Sequence, residues 1–399
     1  MTLPESFTDL SGAEMPAAPL NPALLRLREA LDGILAIAGE QHGEQRRNGG
    51  RVYVFRGELQ IAAEGAYDEI TGRFAPLGYS AMVKYEGDET AIYAIEGDVP
   101  QRTFRSAWWV HLSLLIITLI TTTVMGAALT GMPPDVTWSA LRHWDTTLLR
   151  LVVRDGAPFS LTLLTILGIH EMGHYVAARM HNVKVTLPYF IPLPVNNSLG
   201  TLGAVIFIKS PFMNRRALFD VGIAGPLAGL VVALPLYVIG LQQQATVGRP
   251  QTWIQMGIER VSNPPLLEWL AKLVTETENL DRFVFYGHPM ALAAWFGILL
   301  TALNLLPLGQ FDGGHVIYAL LGRRAWPLAL MTFFVLLSLG LFGAWFGWMF
   351  WAVMGLLTGL RHPPPHDDIT PLGYTRTVLG LATTVIFLLI IVPVPFYAP

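Results

Sequence analysis

The chain has no cysteine among its 399 residues. That excludes disulfides, thiolate nucleophiles, iron–sulfur clusters and cysteine-type zinc fingers, so any metal must be held by histidine, carboxylate or backbone oxygen. Charge is the second scarcity. Charged side chains make up 14% of the chain, against about 25% in a soluble domain. The deficit is uneven, because residues 1–106 hold 26 of the 55 charged side chains and the remaining 293 residues hold 29. With 52% hydrophobic residues and a mean hydropathy of +0.46, the larger part has too little charge to cover itself in water. A soluble module followed by a membrane domain is the organisation this predicts. The net charge of −3 and the lack of any basic run longer than Arg46-Arg47 or Arg215-Arg216 argue against a nucleic-acid partner.

Residues 1–22, rich in Pro, Ala and Ser, read as a disordered lead. Met1 to Leu10 does not resemble a cleaved signal peptide, and no Arg- and Ser-rich transit segment is evident, so a bacterial cytoplasmic membrane is the expected location. Pro22 to Glu40 carries Leu24, Leu25, Leu27, Leu31, Ile34 and Leu35 at helical spacing. Val52–Gly57, Tyr79–Tyr85 and Thr90–Ile95 alternate as strands, and Ala62–Phe74 suits a short helix between the first two. Residues 23–100 are therefore expected to form a small soluble α+β domain, in the manner of half a ferredoxin-like unit.

A run of about 20 apolar residues spans a bilayer core. Ala107–Thr130, Ala157–Met180, Ala217–Leu241, Met290–Pro307, Ala325–Gly343, Ala344–Leu360 and Thr377–Phe396 qualify or nearly do. The fifth and sixth abut at a Gly-rich bend, so six or seven spans are expected over residues 101–399. The fold class is thus a polytopic α-helical membrane protein with a small soluble α+β N-terminal domain. The paired arginines at 215–216 and 323–324 fall in loops on the same side as the N-terminus, which predicts a cytoplasmic N-terminus.

The second span contains His170-Glu171-Met172-Gly173-His174. Residues i and i+4 share a helix face, so both imidazoles can reach one ion, with Glu171 beside them to act on water. Ionisable groups in an apolar span are costly and mark a functional site. A catalytic zinc takes a third protein ligand and leaves a fourth position open. The segment Asn304 to His315 offers Asp312 before two glycines; an ordinary Asp-Gly turn is the alternative for Asp312, and a loop histidine for His315.

These residues resemble the site-2 protease family of intramembrane zinc metalloproteases. The family's second motif, Asn-x-x-Pro-x-x-x-x-Asp-Gly, is matched by Asn304, Pro307, Asp312 and Gly313, and Ser198–Ile206 and Phe219–Gly229 are also similar. The likeness covers Phe159 to Gly322, giving a metalloprotease core at 157–322, and is nearest the branch with a soluble N-terminal module and plastid relatives. It implies one zinc ion held by His170, His174 and Asp312, Glu171 as the proton carrier, and Asn304 as a contact to substrate or developing charge. It further implies that the extended run Thr201–Ile208, with Gly203, Ala204 and Val205, pairs with an unwound substrate by strand addition. The implied partners are membrane proteins with a transmembrane helix, and the lipid bilayer. Two other classes are weighed. A transporter would show an inverted repeat, and no second copy of the 170–174 pattern or of the 304–314 breaker occurs. A non-catalytic zinc scaffold would have no use for Glu171.

Overall fold

The computed structural model describes residues 21–43, 50–97, 107–194, 199–243, 260–275, 288–343 and 345–397. The lead expected over 1–22 lies outside them except for its last two residues. Two compact units emerge. The first comprises Met1–Arg102, Pro211–Leu218 and Pro363–Gly373, and the second Thr103–Ser210, Phe219–His362 and Tyr374–Pro399.

In the first unit, α1 (Pro22–Ala30) starts where the Asn21 side chain accepts a hydrogen bond from the Ala23 N–H, with proline in the first turn. The helix does not continue to Glu40 as its spacing predicts. Gly33 takes a left-handed φ of +70°, and the chain leaves as β1 (Leu35–Gly43). Leu31 and Ile34 of the turn and Leu35 of β1 are buried in the same core, so helical spacing was mimicked by a helix–turn–strand. β2 (Val52–Leu59), α2 (Ala63–Phe74), β3 (Tyr79–Glu86) and β4 (Glu89–Glu96) follow. The sheet is antiparallel in the order β1-β2-β4-β3. Phe55, Ile70, Phe74, Val83 and Ile92 are fully buried against it.

The outer edge of β3 is covered by the chain itself. Val83 donates to the His366 carbonyl at 2.7 Å, and Asp368 donates back to the Val83 carbonyl at 2.9 Å. On the far side of this segment, Asp367 donates to the Met213 carbonyl at 2.8 Å. Ile369 then enters the core, 3% exposed. The first unit thus takes in backbone from two distant segments besides the stretch expected to form a domain over 23–100.

The second unit is largely helical. Its helices are α3 (Trp108–Leu129), α4 (Pro134–His143), α5 (Thr146–Met180), α6 (Arg215–Gln242, whose first residues belong to the first unit), α7 (Pro265–Val274), α8 (Pro289–Asn304), α9 (Asp312–Leu321), α10 (Ala325–Phe342), α11 (Gly347–Thr358) and α12 (Tyr374–Ile390). β5 (Tyr189–Pro192) and β6 (Thr201–Val205) form an antiparallel hairpin, and β7 (Arg260–Val261) pairs with β8 (Phe396–Tyr397). Among the described residues, four helical stretches are long and apolar enough to cross a membrane: α3, α5, α6 and Asp312–Phe342, the last divided into α9 and α10 by a short turn at Gly322–Arg324. Pro289–Asn304, Gly347–Thr358 and Tyr374–Ile390 are shorter apolar helices in the places read as further spans.

α5 begins earlier than its apolar run, because Asp145 caps it by accepting from the N–H groups of Thr147 and Leu148. It is the centre of the unit, packed by α3 on one side and α8 on another. Gly156 lets α3 approach closely, since a Cβ there would overlap the Thr123 carbonyl. A Thr122–Ser160 hydroxyl hydrogen bond of 2.6 Å satisfies both groups within that contact. On the other side, Ile166 of α5 fills the space left by Gly297 of α8.

Candidate metal centre

α5 carries His170, Glu171 and His174, which are 3%, 5% and 5% exposed. The third member arrives from a broken backbone. α8 ends at Asn304, and Pro307 and Gly309 (φ +52°) turn the chain so that Asp312 opens α9. Irregular backbone among apolar helices needs protein around it, and Leu305, Leu306 and Leu308 are buried. The turn keeps its own hydrogen bonds, including Leu305 N–H to the Thr301 carbonyl and Phe311 N–H to the Leu308 carbonyl.

The ligating atoms converge. His170 Nε2 and His174 Nε2 are 3.2 Å apart, and Asp312 Oδ2 lies 3.3 Å from the first and 3.2 Å from the second. For ligands at about 2.0–2.1 Å from a zinc ion, the edge of the tetrahedron is about 3.3 Å. The three side chains fit one such ion in number, type and spacing. The proton positions argue the same way. His174 Nδ1 lies 2.7 Å from the Val221 carbonyl oxygen, an acceptor, so Nδ1 carries the hydrogen and the lone pair sits on Nε2. A single shared proton would satisfy one of the three contacts; a cation satisfies all of them.

α6 supplies the wall of the site. Gly222, Gly225 and Gly229 form one stripe, against His315 and Asp312, against His174, and against His170 respectively. A Cβ on Gly225 would overlap the His174 imidazole. Gly173 of α5 returns the close approach, meeting the Ala224 carbonyl. These glycines therefore let two helix backbones close around the ligand group.

Of the other residues singled out from the sequence, Asn304 is in the same group, its Nδ2 3.3 Å from His170 Nε2. Gly203, Ala204 and Val205 are not. They lie on β6, opposite Ile191, Phe190 and Tyr189 of β5. The link between strand and ligand group is Ile206, whose backbone lies within hydrogen-bonding reach of the Glu171 carboxyl. His315 pairs with His362, Nδ1 to Nε2 at 2.6 Å, and His362 stacks on Tyr318. Sequence reasoning missed the Val221 carbonyl and the Ile206 backbone, because main-chain groups leave no side-chain signature, although Val221 falls in the apolar run Ala217–Leu241 and Ile206 in the extended run Thr201–Ile208.

Residues 158–342 match the sequence profile of peptidase family M50. The chain carries an M50 peptidase domain. This is the site-2 protease family that the motifs resemble. Relatives include the probable zinc metalloprotease EGY1, chloroplastic, of Arabidopsis thaliana, 27% identical over 71% of this chain and 53% of its own length. The probable zinc metalloprotease EGY2, chloroplastic, of Oryza sativa subsp. indica is 26% identical over 86% of this chain and 62% of its own. The probable zinc metalloprotease EGY3, chloroplastic, from the same rice subspecies is 29% identical over 60% and 42%. The chain spans about half the length of the curated relatives it matches. No solved structure matches it. Those relatives are plastid proteins, so the expectation of a bacterial membrane gains no support from the M50 likeness.

Proposed function

We propose that the chain is an intramembrane zinc metalloendopeptidase that hydrolyses peptide bonds within or next to the transmembrane segments of other membrane proteins. The observation that carries this reading is the convergence of His170, His174 and Asp312 on one point, next to a buried Glu171, on apolar helices. In this reading the three hold zinc, which when bound supplies Lewis acidity to the scissile carbonyl and to water. Glu171 takes a proton from the attacking water as its oxygen bonds to the carbonyl carbon. It delivers that proton to the amide nitrogen as the C–N bond breaks, so the base is regenerated. Asn304 has an amide donor at the rim of the ligand group, suited to the oxygen on which charge develops.

A transmembrane helix hides its amides in i→i−4 hydrogen bonds, so the substrate must be extended before attack. β6 pairs with β5 along one edge, and its end meets Glu171 through Ile206. A substrate strand added to the outer edge of β6, past Gly203, Ala204 and Val205, would run beside the base. The apolar helices support a multi-pass membrane protein in contact with lipid, and the basic-residue asymmetry supports a cytoplasmic N-terminus. Such groups inside a span also suit ion transport, but nothing in that reading uses an open tetrahedral donor set beside a glutamate.

The test is reconstitution of the purified chain with a single-span reporter, with the cleavage position read by mass spectrometry. The expected products are cut within or next to the span, and zinc chelation stops their formation. Cleavage confined to soluble loops, or unaffected by chelation, would overturn the proposal.

A further inference from the structure

At one end of α5 a second cluster of ionisable groups sits apart from the metal ligands. The Asp220 carboxylate of α6 accepts two hydrogen bonds from one guanidinium, Arg376 Nε to Oδ1 and Nη2 to Oδ2, both at 2.8 Å. His181, which caps the end of α5, adds its Nε2 at 2.8 Å from Asp220 Oδ2. Three helices meet on this one carboxylate: α5, α6 and α12. A bidentate Arg–carboxylate pair fixes orientation as well as distance.

The position of Asp220 in the chain gives the cluster its consequence. The next residue is Val221, whose carbonyl receives His174 Nδ1 at 2.7 Å. The glycine stripe that follows, Gly222 and Gly225, faces Asp312 and His174 with no spare space. His181 lies seven residues, two helical turns, beyond His174 on α5. The clamp therefore ties α5 to α6 next to the point where α6 holds a ligand. We propose that Asp220, gripped by Arg376 and His181, is a positioning residue of the metal centre. It sets the register of α6 on α5, so that the Val221 carbonyl keeps the His174 proton on Nδ1 and its Nε2 free to bind metal. The partner of a ligating histidine governs both ring orientation and ligand basicity, and its loss typically weakens metal binding about 10- to 100-fold.

This inference rests on the metal-centre reading above, and the experiment separates the two. The full chain is loaded with cobalt(II) in place of zinc, and its visible ligand-field spectrum and metal dissociation rate are recorded for wild type, Asp220→Asn, Asp220→Glu and Arg376→Gln. The wild type is expected to bind one cobalt with a tetrahedral spectrum; if it binds none, the metal-centre reading itself falls. Asp220→Asn is expected to shift the spectrum and release metal about tenfold faster, while Asp220→Glu, which keeps a carboxylate for both partners, restores wild-type values. A wild-type spectrum and release rate in Asp220→Asn would overturn the proposal, even with a lowered unfolding temperature, because the clamp would then be structural glue alone. Should Asp220→Asn fail to fold, Arg376→Gln decides by the same two readings.

Discussion

Asp312 Oδ2 lies 3.2 Å from His174 Nε2, although 138 residues separate them along the chain. The contact exists because α8 is broken at Asn304 and the chain turns at Pro307 and Gly309, so that a carboxylate opening α9 faces the helix that carries both histidines. With three donors at mutual distances of 3.2 to 3.3 Å, each ligand has a distinct share in the proposed zinc site.

Asp312→Asn replaces an anionic oxygen by a neutral amide of the same shape. Removing the hydrogen-bond partner of a ligand costs about 10- to 100-fold in metal affinity, so replacing the ligand itself is expected to cost more than about 100-fold. Purified variant protein should contain well under one zinc per chain, measured by atomic emission against protein concentration. Undiminished stoichiometry would remove Asp312 from the ligand set.

Gly225→Ala adds a single methyl group where the His174 imidazole already lies. Overpacking of this kind typically costs about 1–3 kcal/mol, and here the nearest atoms belong to a proposed ligand. The expected outcome is a folded chain with a lower unfolding temperature, reduced zinc content and little or no cleavage of a reporter. Normal zinc content and cleavage would contradict the close packing of α6 on α5 as the determinant of ligand placement.

The first unit makes a separate prediction about acid. Burial opposes the charge on Glu86, yet hydrogen bonds from Lys84, Tyr93 and Arg56 outweigh it and pull its carboxyl down to about 2 from 4.5. A carboxylate with a lowered folded-state value contributes stability in full above its unfolded value and loses it as pH falls towards the folded one. Protection of β3 and β4 amides from hydrogen exchange in the intact chain should therefore decline between about pH 4.5 and about pH 2. In Glu86→Gln the protection should be lower at neutral pH, and the part of the decline due to this group should vanish. An unchanged acid dependence in the variant would show that the ion cluster is not its source.

Much of this was legible in the sequence, and the exceptions share a cause. His170, Glu171 and His174 could be read together because an i, i+4 pair is a local pattern whose geometry the helix dictates. Asp312 needed the family likeness, since nothing local brings α9 to α5. β1 was hidden because Leu31, Ile34 and Leu35 keep helical spacing across a turn at Gly33. The pairing of residues 366–368 with β3 was equally hidden: Pro363-Pro364-Pro365 reads as loop, and a strand made only by its neighbour has no pattern of its own. The Val221 carbonyl and the Ile206 backbone are main-chain groups, identical in chemistry at every residue. The Asp220 cluster joins residues 181, 220 and 376, separations at which a single sequence carries no pairing signal.

The most direct test of the account is reporter cleavage by Glu171→Gln protein that has first been shown to hold one zinc per chain. Glutamine keeps the size of the side chain and the ligand group intact but has no carboxylate to take a proton. Loss of general-base catalysis costs about 10²- to 10⁴-fold, so cleavage should fall by at least about 100-fold while the zinc content stays at the wild-type level. Cleavage at the wild-type rate by the zinc-loaded variant would contradict the assignment of Glu171 and, with it, the proposed reaction.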